Sequence, residues 1–152
     1  TVWLLERSMK TLSLRVGAQN ANALQLAKYL NGLDEVTNVY YPGLKTHPQH
    51  ELANKQMKGF GGMLSFELVN SIDALTFQRN LKLIKSSMSL AGVESTMLLP
   101  SETSHALLTQ EQRAKIGIRD GLIRFSVGIE DYKDLSLDIE QALESVKVIV
   151  NA

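Results

Sequence analysis

The run GLIRFSVGIED, residues 121–131, alternates apolar and polar side chains with the period of two that a β-strand requires. One face of this predicted strand is apolar and comprises Ile123, Phe125 and Val127. The opposite face carries Arg124 at its centre. Because a guanidinium stays charged at any physiological pH and has five fixed donors, Arg124 must meet an anion, either a carboxylate of the protein or a ligand. The strand therefore needs a packed core on one side and an anion on the other.

Helical and extended periodicities alternate along the rest of the chain. The predicted helices are one long N-terminal helix that bends near Gly17 and ends at Gly32, a helix from Pro48 to Gly59, a helix capped by Ser71, a short helix that opens with the capping box of Thr109 and Gln112, and a last helix from Asp131 or Lys133. The predicted strands are residues 36–41, residues 63–69 and an irregular β-rich stretch over residues 85–99. This order predicts a single α/β or α+β domain over residues 1–152, with helices on one face of a sheet.

The helical periodicity indicates which apolar side chains share one face of each predicted helix. The stripes are Leu5, Met9, Leu12 and Val16 in the first helix, Ala74, Phe77, Leu81 and Ile84 in the third, and Leu135, Ile139, Ala142, Val146 and Ile149 in the last. The first stripe starts so close to residue 1 that we expect the chain to begin inside a helix.

Composition excludes several classes of function. Sixteen basic and sixteen acidic residues give a net charge of zero, so the chain lacks the positive field that gathers nucleic acid. No apolar run approaches the roughly 20 residues of a membrane span, and the N-terminus has no signal-peptide pattern. With no cysteine, the sequence offers neither disulfides nor thiolate sites. We expect a cytoplasmic protein that binds neither nucleic acid nor membrane.

Three short motifs have the residue types of chemical sites, but a structural interpretation fits each better. HPQH, residues 47–50, has two histidines three apart but no further metal ligand, and its proline is typical of a helix start. GFGG, residues 59–62, precedes a strand, whereas phosphate-binding loops precede a helix. Ser104, His105 and Glu102 have the types of a hydrolase triad, but adjacent residues rarely adopt triad geometry, and we expect a packing role.

Residue type alone leaves two interpretations of Arg124 open. The more frequent arrangement is a structural ion pair, for which Glu94 and Asp120 are the candidate partners. The alternative is a ligand site. No spacing in the sequence decides between them.

Several longer motifs resemble the C-terminal domain of the transsulfuration family. This family comprises the pyridoxal-phosphate enzymes cystathionine γ-synthase, cystathionine β- and γ-lyase and methionine γ-lyase. The motifs are SLAGVES, PSETSHA and GIRDGLIRFSVGIED, with MKTLSLRV, NALQLAKYL, YYPGLKTHPQHELANKQMKGFGGMLSF and DLSLDIEQAL in the family's order. The resemblance covers nearly the whole chain and implies the small domain of a fold-type I enzyme, with a mostly antiparallel sheet.

The resemblance also implies roles for individual residues. The arginine of the family's LIRxSVG strand receives the α-carboxylate of the amino-acid substrate, and here it is Arg124. The serine of SLxG contacts the same carboxylate and the next residue lines the pocket, which gives Ser89 and Leu90. Ser104 replaces the threonine of the family's THA motif. Met88 stands where many members carry a glutamate, which favours a lyase for cystathionine or methionine-like substrates.

The family's cofactor lysine and its phosphate-binding motifs are not in this sequence. The resemblance therefore implies a substrate-binding domain without a catalytic residue or metal, joined in the full enzyme to a larger domain that binds most of the pyridoxal 5′-phosphate. It also implies a homotetramer for the full enzyme, and self-association is expected of the domain alone. The alternatives left open are a γ-synthase or another homoserine-ester transferase, and a non-catalytic ligand-binding or assembly module.

Overall fold

A sheet of five strands forms the centre of the fold in the computed structural model, which describes residues 2–150 and the side chains of residues 2–146. The strands are β1 (Val36–Tyr40), β2 (Met63–Leu68), β3 (Lys85–Ser86), β4 (Thr96–Leu98) and β5 (Leu122–Ser126), in the order β1-β2-β5-β4-β3. Only the β3–β4 pair is parallel among these strands. The sheet is therefore mostly antiparallel, as predicted.

The helices of residues 2–150 are α1 (Val2–Met9), α2 (Leu12–Leu30), α3 (His50–Gln56), α4 (Ala74–Asn80), α5 (Gln110–Lys115) and α6 (Tyr132–Val150). The alternation of helices and strands confirms the predicted α/β class. The capping box of α5 is also confirmed, because the Thr109 hydroxyl accepts from the Gln112 amide while the Gln112 side chain accepts from the Thr109 amide. For the helices and strands whose first and last residues were both predicted, most of the observed ends lie one to three residues from the predicted ones.

One face of the sheet packs against α2, α4 and α6 to form the core. The buried sheet residues are Leu64, Phe66, Leu68, Met97, Ile123, Phe125 and Val127, and the buried helix residues include Ala23, Leu26, Leu30, Phe77, Leu135, Ile139, Ala142 and Val146. The rings of Phe66 and Phe77 meet edge to face at 6.3 Å. The predicted inner face of β5 is confirmed. The side chain of Ile149, predicted on the α6 stripe, lies outside the described residues.

The long N-terminal helix of the prediction is two helices. The break falls at residues 10–11, where Arg15 donates to the carbonyl of Ser8 at 2.8 Å and to the Thr11 hydroxyl at 3.2 Å. The bond to Ser8 satisfies a carbonyl that a continuous helix would pair through its backbone. The expected bend near Gly17 was wrong, because Gly17 lies within α2.

The third predicted helix was misplaced at both ends. Asp73, and not Ser71, is its N-cap, and Asp73 Oδ2 accepts from the Thr76 amide at 2.8 Å. This bond lowers the pKa of the Asp73 carboxyl. The helix ends at Asn80, so Leu81 and Ile84 of the predicted stripe follow it.

A carboxylate on another helix explains where α4 ends. Asp138 of α6 is 6% exposed and accepts from the amides of Lys82, Leu83 and Ile84 at 2.8–3.0 Å. Because these amides bond to a side chain, they do not continue the helical ladder. Ile84 is still buried, but it reaches the core from a loop.

Candidate functional site

Arg124 lies at the centre of β5, opposite Ser65 of β2 and Leu98 of β4. Its chain neighbours Ile123 and Phe125 are fully buried against the helices. Because successive side chains of a strand point to opposite faces, Arg124 points to the face that α2, α4 and α6 leave uncovered. The Arg124 side chain is half-buried there.

The guanidinium of Arg124 donates from Nη2 to the carbonyl oxygen of Met88 at 3.1 Å. The two carboxylates proposed as structural partners are paired elsewhere: Glu94 with a lysine of β3 at 3.5 Å and Asp120 with an arginine of α5 at 2.6 Å. Among the described side chains, no carboxylate oxygen lies within 4.0 Å of the Arg124 guanidinium nitrogens. The structural ion pair predicted from residue type is thus not formed, and most donors of the fork have no protein acceptor in the described part of the chain.

The structure brings residues 88–92, the SLxG loop, next to this arginine. Met88, Ser89 and Leu90 follow β3, and all three are exposed, Met88 at 67% and Leu90 at 56%. The backbone of Ser89 is fixed at its carbonyl, which accepts from Thr96 Oγ1 at 3.0 Å. The Ser89 hydroxyl has no hydrogen-bond partner among the described residues, so it can bind a ligand.

Ser104 is placed in an exposed turn after Pro100. Its hydroxyl lies 2.8 Å from Nδ1 of His105. No hydrogen bond between Glu102 and His105 completes a hydrolase triad within the described residues, and none joins Ser104 to Arg124 or to the SLxG loop. Within the described residues, no hydrogen bond therefore connects Ser104 to the other predicted site residues.

Each of the two histidines of HPQH bonds to backbone. His47 Nδ1 accepts from the Gln49 amide at 3.2 Å, and His50 Nδ1 lies 2.7 Å from the carbonyl oxygen of Pro42. The ring of His50 also stacks on Phe60, with 5.6 Å between the centroids. Within the described residues, no group of three acidic or histidine side chains could hold a metal ion.

The glycine-rich loop packs against α2. Gly61 has a φ of +86°, a conformation that favours glycine, and its amide donates to the Asn20 side chain at 2.6 Å. A side chain at Gly59 would meet that asparagine at 2.8 Å. This loop joins a helix to a strand as a tight turn, in agreement with the structural interpretation of the motif.

A buried carboxylate on the same sheet face as Arg124 escaped the sequence reasoning. Glu67 of β2 is 3% exposed, accepts from Asn38 Nδ2 at 2.9 Å and pairs with Arg119 at 3.4 Å. It also helps to raise the pKa of the Tyr40 hydroxyl, an effect that comes mainly from burial. The sequence carried a signal for this residue, since Glu67 interrupts the apolar run of residues 63–69 as Arg124 interrupts that of β5.

Two clefts of the described surface lie away from the predicted site. One of about 650 Å³ is lined by residues that include Asn70, Asp73 and Glu102, and one of about 360 Å³ by residues that include Glu67 and Arg119. Arg124 and the SLxG loop line neither cleft.

Comparison with known proteins decides the family. The model of the Cys/Met metabolism PLP-dependent enzymes matches residues 1–144. The chain belongs to this family. Its relatives include a cystathionine β-lyase of Lactococcus lactis subsp. cremoris strain MG1363, 49% identical over 93% of this chain and 37% of the relative, and chloroplastic cystathionine γ-synthase 1 of Arabidopsis thaliana, 47% identical over 95% of this chain and 26% of the relative.

Solved structures agree with this assignment. The crystal structure of cystathionine γ-lyase from Lactobacillus plantarum complexed with L-serine superposes with a TM-score of 0.90 and 41% identity, over 95% of this chain and 38% of that chain. The expected resemblance and the fold of a fold-type I C-terminal domain are thereby confirmed. This chain spans little more than a third of the bacterial relative's length.

The family depends on pyridoxal phosphate, and the lysines of this chain can be compared with the setting that this cofactor needs. Every lysine whose side chain the structure describes is exposed, and no lysine lines either cleft. A lysine that forms an imine with this cofactor needs a shielded setting to lower its pKa. Within the described residues, no helix has the length and apolar character needed to cross a bilayer.

Proposed function

We propose that this chain is the substrate-binding, C-terminal domain, residues 1–152, of a pyridoxal-phosphate carbon–sulfur lyase acting on cystathionine or related sulfur amino acids. Arg124 binds the α-carboxylate of the substrate, and Ser89 contacts the same group. Met88 and Leu90 line the site, and Ser104 shapes its border. The observation that carries the proposal is that the Arg124 guanidinium has no carboxylate partner among the described side chains and donates to a single backbone carbonyl.

The chemistry of the guanidinium fits this role. The planar guanidinium donates two parallel hydrogen bonds to a carboxylate, and these bonds fix both the position and the rotation of the bound group. Because Arg124 is half-buried, these bonds are less screened by water than those of a fully exposed arginine. Holding the acid end of an amino acid sets the direction of the bonds at its α-carbon, on which the cofactor of the full enzyme acts.

Met88 is the residue that favours a lyase over a transferase. Its side chain is 67% exposed beside Arg124 and offers no charge for the distal ammonium group of cystathionine, which fits a lyase that binds cystathionine in another pose or acts on methionine-like substrates. The identity to a plant cystathionine γ-synthase, at 47%, keeps that transferase as the second candidate. We also propose that the full-length enzyme is a homotetramer and that it acts in the cytoplasm.

The test is a set of assays on the full-length protein that contains this chain. We expect release of a thiol from cystathionine that exceeds the rates with methionine and with acylated homoserine. Arg124→Lys keeps the charge but loses the fork, and we expect kcat/KM to fall by about 100-fold, on the scale of two charge-assisted hydrogen bonds. The cofactor's absorbance should not change.

The matched control is Arg79→Lys, because Arg79 is an exposed arginine in the last turn of α4. This variant should retain full activity. An Arg124→Lys enzyme with the kcat/KM of the parent would show that the proposed role of Arg124 is wrong. A full-length protein without any lyase or transferase activity would contradict the enzymatic assignment as a whole.

A further inference from the structure

We propose that Thr96 and Ser126 are positioning residues for the substrate carboxylate. Their hydroxyls hold residues 88–92, the SLxG loop, so that Ser89 and Arg124 act on one bound group. This inference rests on the proposed function of Arg124 and names two further residues on which that function depends.

The two hydroxyls occupy adjacent strands. Thr96 of β4 and Ser126 of β5 are cross-strand partners, and both are buried, at 7% and 2% exposure. Ser126 follows Arg124 by two residues, so period-two alternation places it on the same sheet face. The sheet face that carries Arg124 thus also carries the two hydroxyls that fix the loop.

Each hydroxyl bonds to the backbone of the loop. Thr96 Oγ1 donates to the carbonyl of Ser89 at 3.0 Å, and Ser126 Oγ accepts from the amide of Ala91 at 3.1 Å. The carbonyl of Met88, one residue earlier, accepts from Arg124 itself at 3.1 Å. A displacement of the loop would therefore move Ser89 and the acceptor of Arg124 together.

The loop holds a conformation that needs support. Ala91 has a φ of +58°, in the left-handed region that non-glycine residues rarely adopt. Such strain persists only where surrounding contacts hold the backbone in place. The hydrogen bond from the Ala91 amide to Ser126 is such a contact, and the bond from Gln19 Nε2 of α2 to the Gly92 carbonyl at 2.7 Å secures the next residue.

Apolar burial cannot supply this support. The large side chains of the loop, Met88 and Leu90, are exposed by more than half of their surface. A segment with few buried apolar contacts depends on its polar bonds for a fixed position. The buried hydroxyls of Thr96 and Ser126 therefore determine the geometry of the site, although neither is expected to touch the substrate.

The experiment measures steady-state kinetics of the full-length enzyme with L-cystathionine. Thr96→Val and Ser126→Ala each remove one hydroxyl bond, and we expect KM to rise about five- to tenfold, the equivalent of one hydrogen bond, with kcat changed less than about twofold. Thr96→Ser keeps the hydroxyl and should restore the parent KM. Hydrogen exchange at the Ala91 amide should be faster in Ser126→Ala.

Thr37→Val is the matched control. Thr37 also donates from its hydroxyl to a backbone carbonyl in the sheet, that of Glu67 at 3.3 Å, but it lies on β1. We expect this variant to keep the parent KM. The control thus separates a general loss of stability from a displacement of the SLxG loop.

Several results would overturn the inference. KM unchanged in Thr96→Val and Ser126→Ala, beside a raised KM in Arg124→Lys, would overturn the positioning role and leave the proposed function intact. A Thr96→Ser enzyme as impaired as Thr96→Val would show that the hydroxyl is not the cause. An Arg124→Lys enzyme with the parent kcat/KM would overturn both proposals.

Discussion

Arg124 Nη2 lies 3.1 Å from the carbonyl oxygen of Met88. The arginine predicted to bind the substrate carboxylate is thus hydrogen-bonded to the backbone immediately before Ser89. One donor of the guanidinium is used in this bond. The donors that remain have no carboxylate partner among the described residues. The relationship gives the side chain a fixed direction without neutralising its charge, and both properties suit a group that binds an anion.

Substrate choice should respond to the charge at position 88. In the full-length enzyme, Met88→Glu adds a carboxylate that can pair with the distal ammonium of cystathionine, which methionine lacks. We expect the ratio of kcat/KM for cystathionine to that for methionine to rise about fivefold, as for a solvent-exposed ion pair. Met88→Gln, which adds a polar but neutral group, is the control. If the ratio of the two kcat/KM values is the same in both variants, the charge at position 88 does not determine substrate choice.

Stability should depend strongly on Asp138. Asp138→Ala leaves the amides of residues 82–84 without their acceptor, and we expect the free energy of unfolding to fall by about 3 kcal/mol. Asp138→Asn retains one acceptor oxygen and should lose less. Urea unfolding measures both, with the exposed Glu140→Gln on the same helix as a control that changes stability by less than about 0.5 kcal/mol. A loss for Asp138→Ala no larger than the control's would contradict the assigned role.

Alkaline stability should depend on Tyr41. Burial raises the pKa of its hydroxyl to about 12, and that hydroxyl donates to the carbonyl of Gly61 at 2.9 Å. Because the folded pKa lies above the unfolded value of about 10, the folded state retains this proton longer than the unfolded state does. The resulting stabilisation is complete below pH 10 and is lost as the pH rises through about 12.

Tyr41→Phe provides the measurement for this pH dependence. Unfolding by urea at pH 8 and pH 11 should show a smaller loss of stability with pH in the variant than in the parent. The phenolate absorbance of the parent should rise at a higher pH in the folded than in the unfolded protein. Equal pH dependence in parent and variant would show that another group is responsible.

The sheet and its apolar face could be predicted because local patterns agreed with the tertiary fold. The alternation around Phe125 indicated which residues of β5 are buried, and packing against α2 and α6 selected the same face. The capping box of α5 is likewise a local device, whose two bonds join residues three apart. Such features need no knowledge of the rest of the chain.

The errors arose where a distant residue overrides the local pattern. Leu81 and Ile84 continue a helical stripe in the sequence. The amides of residues 82–84 nevertheless donate to Asp138, more than fifty residues away, and so do not form helical hydrogen bonds. The roles of Thr96 and Ser126 were missed for a similar reason, because their bonds to residues 89 and 91 depend on how β4 and β5 pair. A sequence read residue by residue does not display such contacts.

The interpretation of Arg124 could not be decided from its own strand. Residue type favoured an ion pair with Glu94 or Asp120, and each of these was a reasonable partner by charge alone. The structure pairs both with other cations, because β3 and α5 bring a lysine and an arginine closer. Only the resemblance to a family predicted a ligand at this position.

The most direct test is a crystal structure of the full-length protein with L-serine bound. We expect both oxygens of the ligand's α-carboxylate to lie about 3 Å from nitrogens of the Arg124 guanidinium, as in a two-bond carboxylate pair, with the Ser89 hydroxyl in contact with the same group. A ligand whose carboxylate is held by other residues, with Arg124 turned toward a carboxylate of the protein, would contradict the central claim.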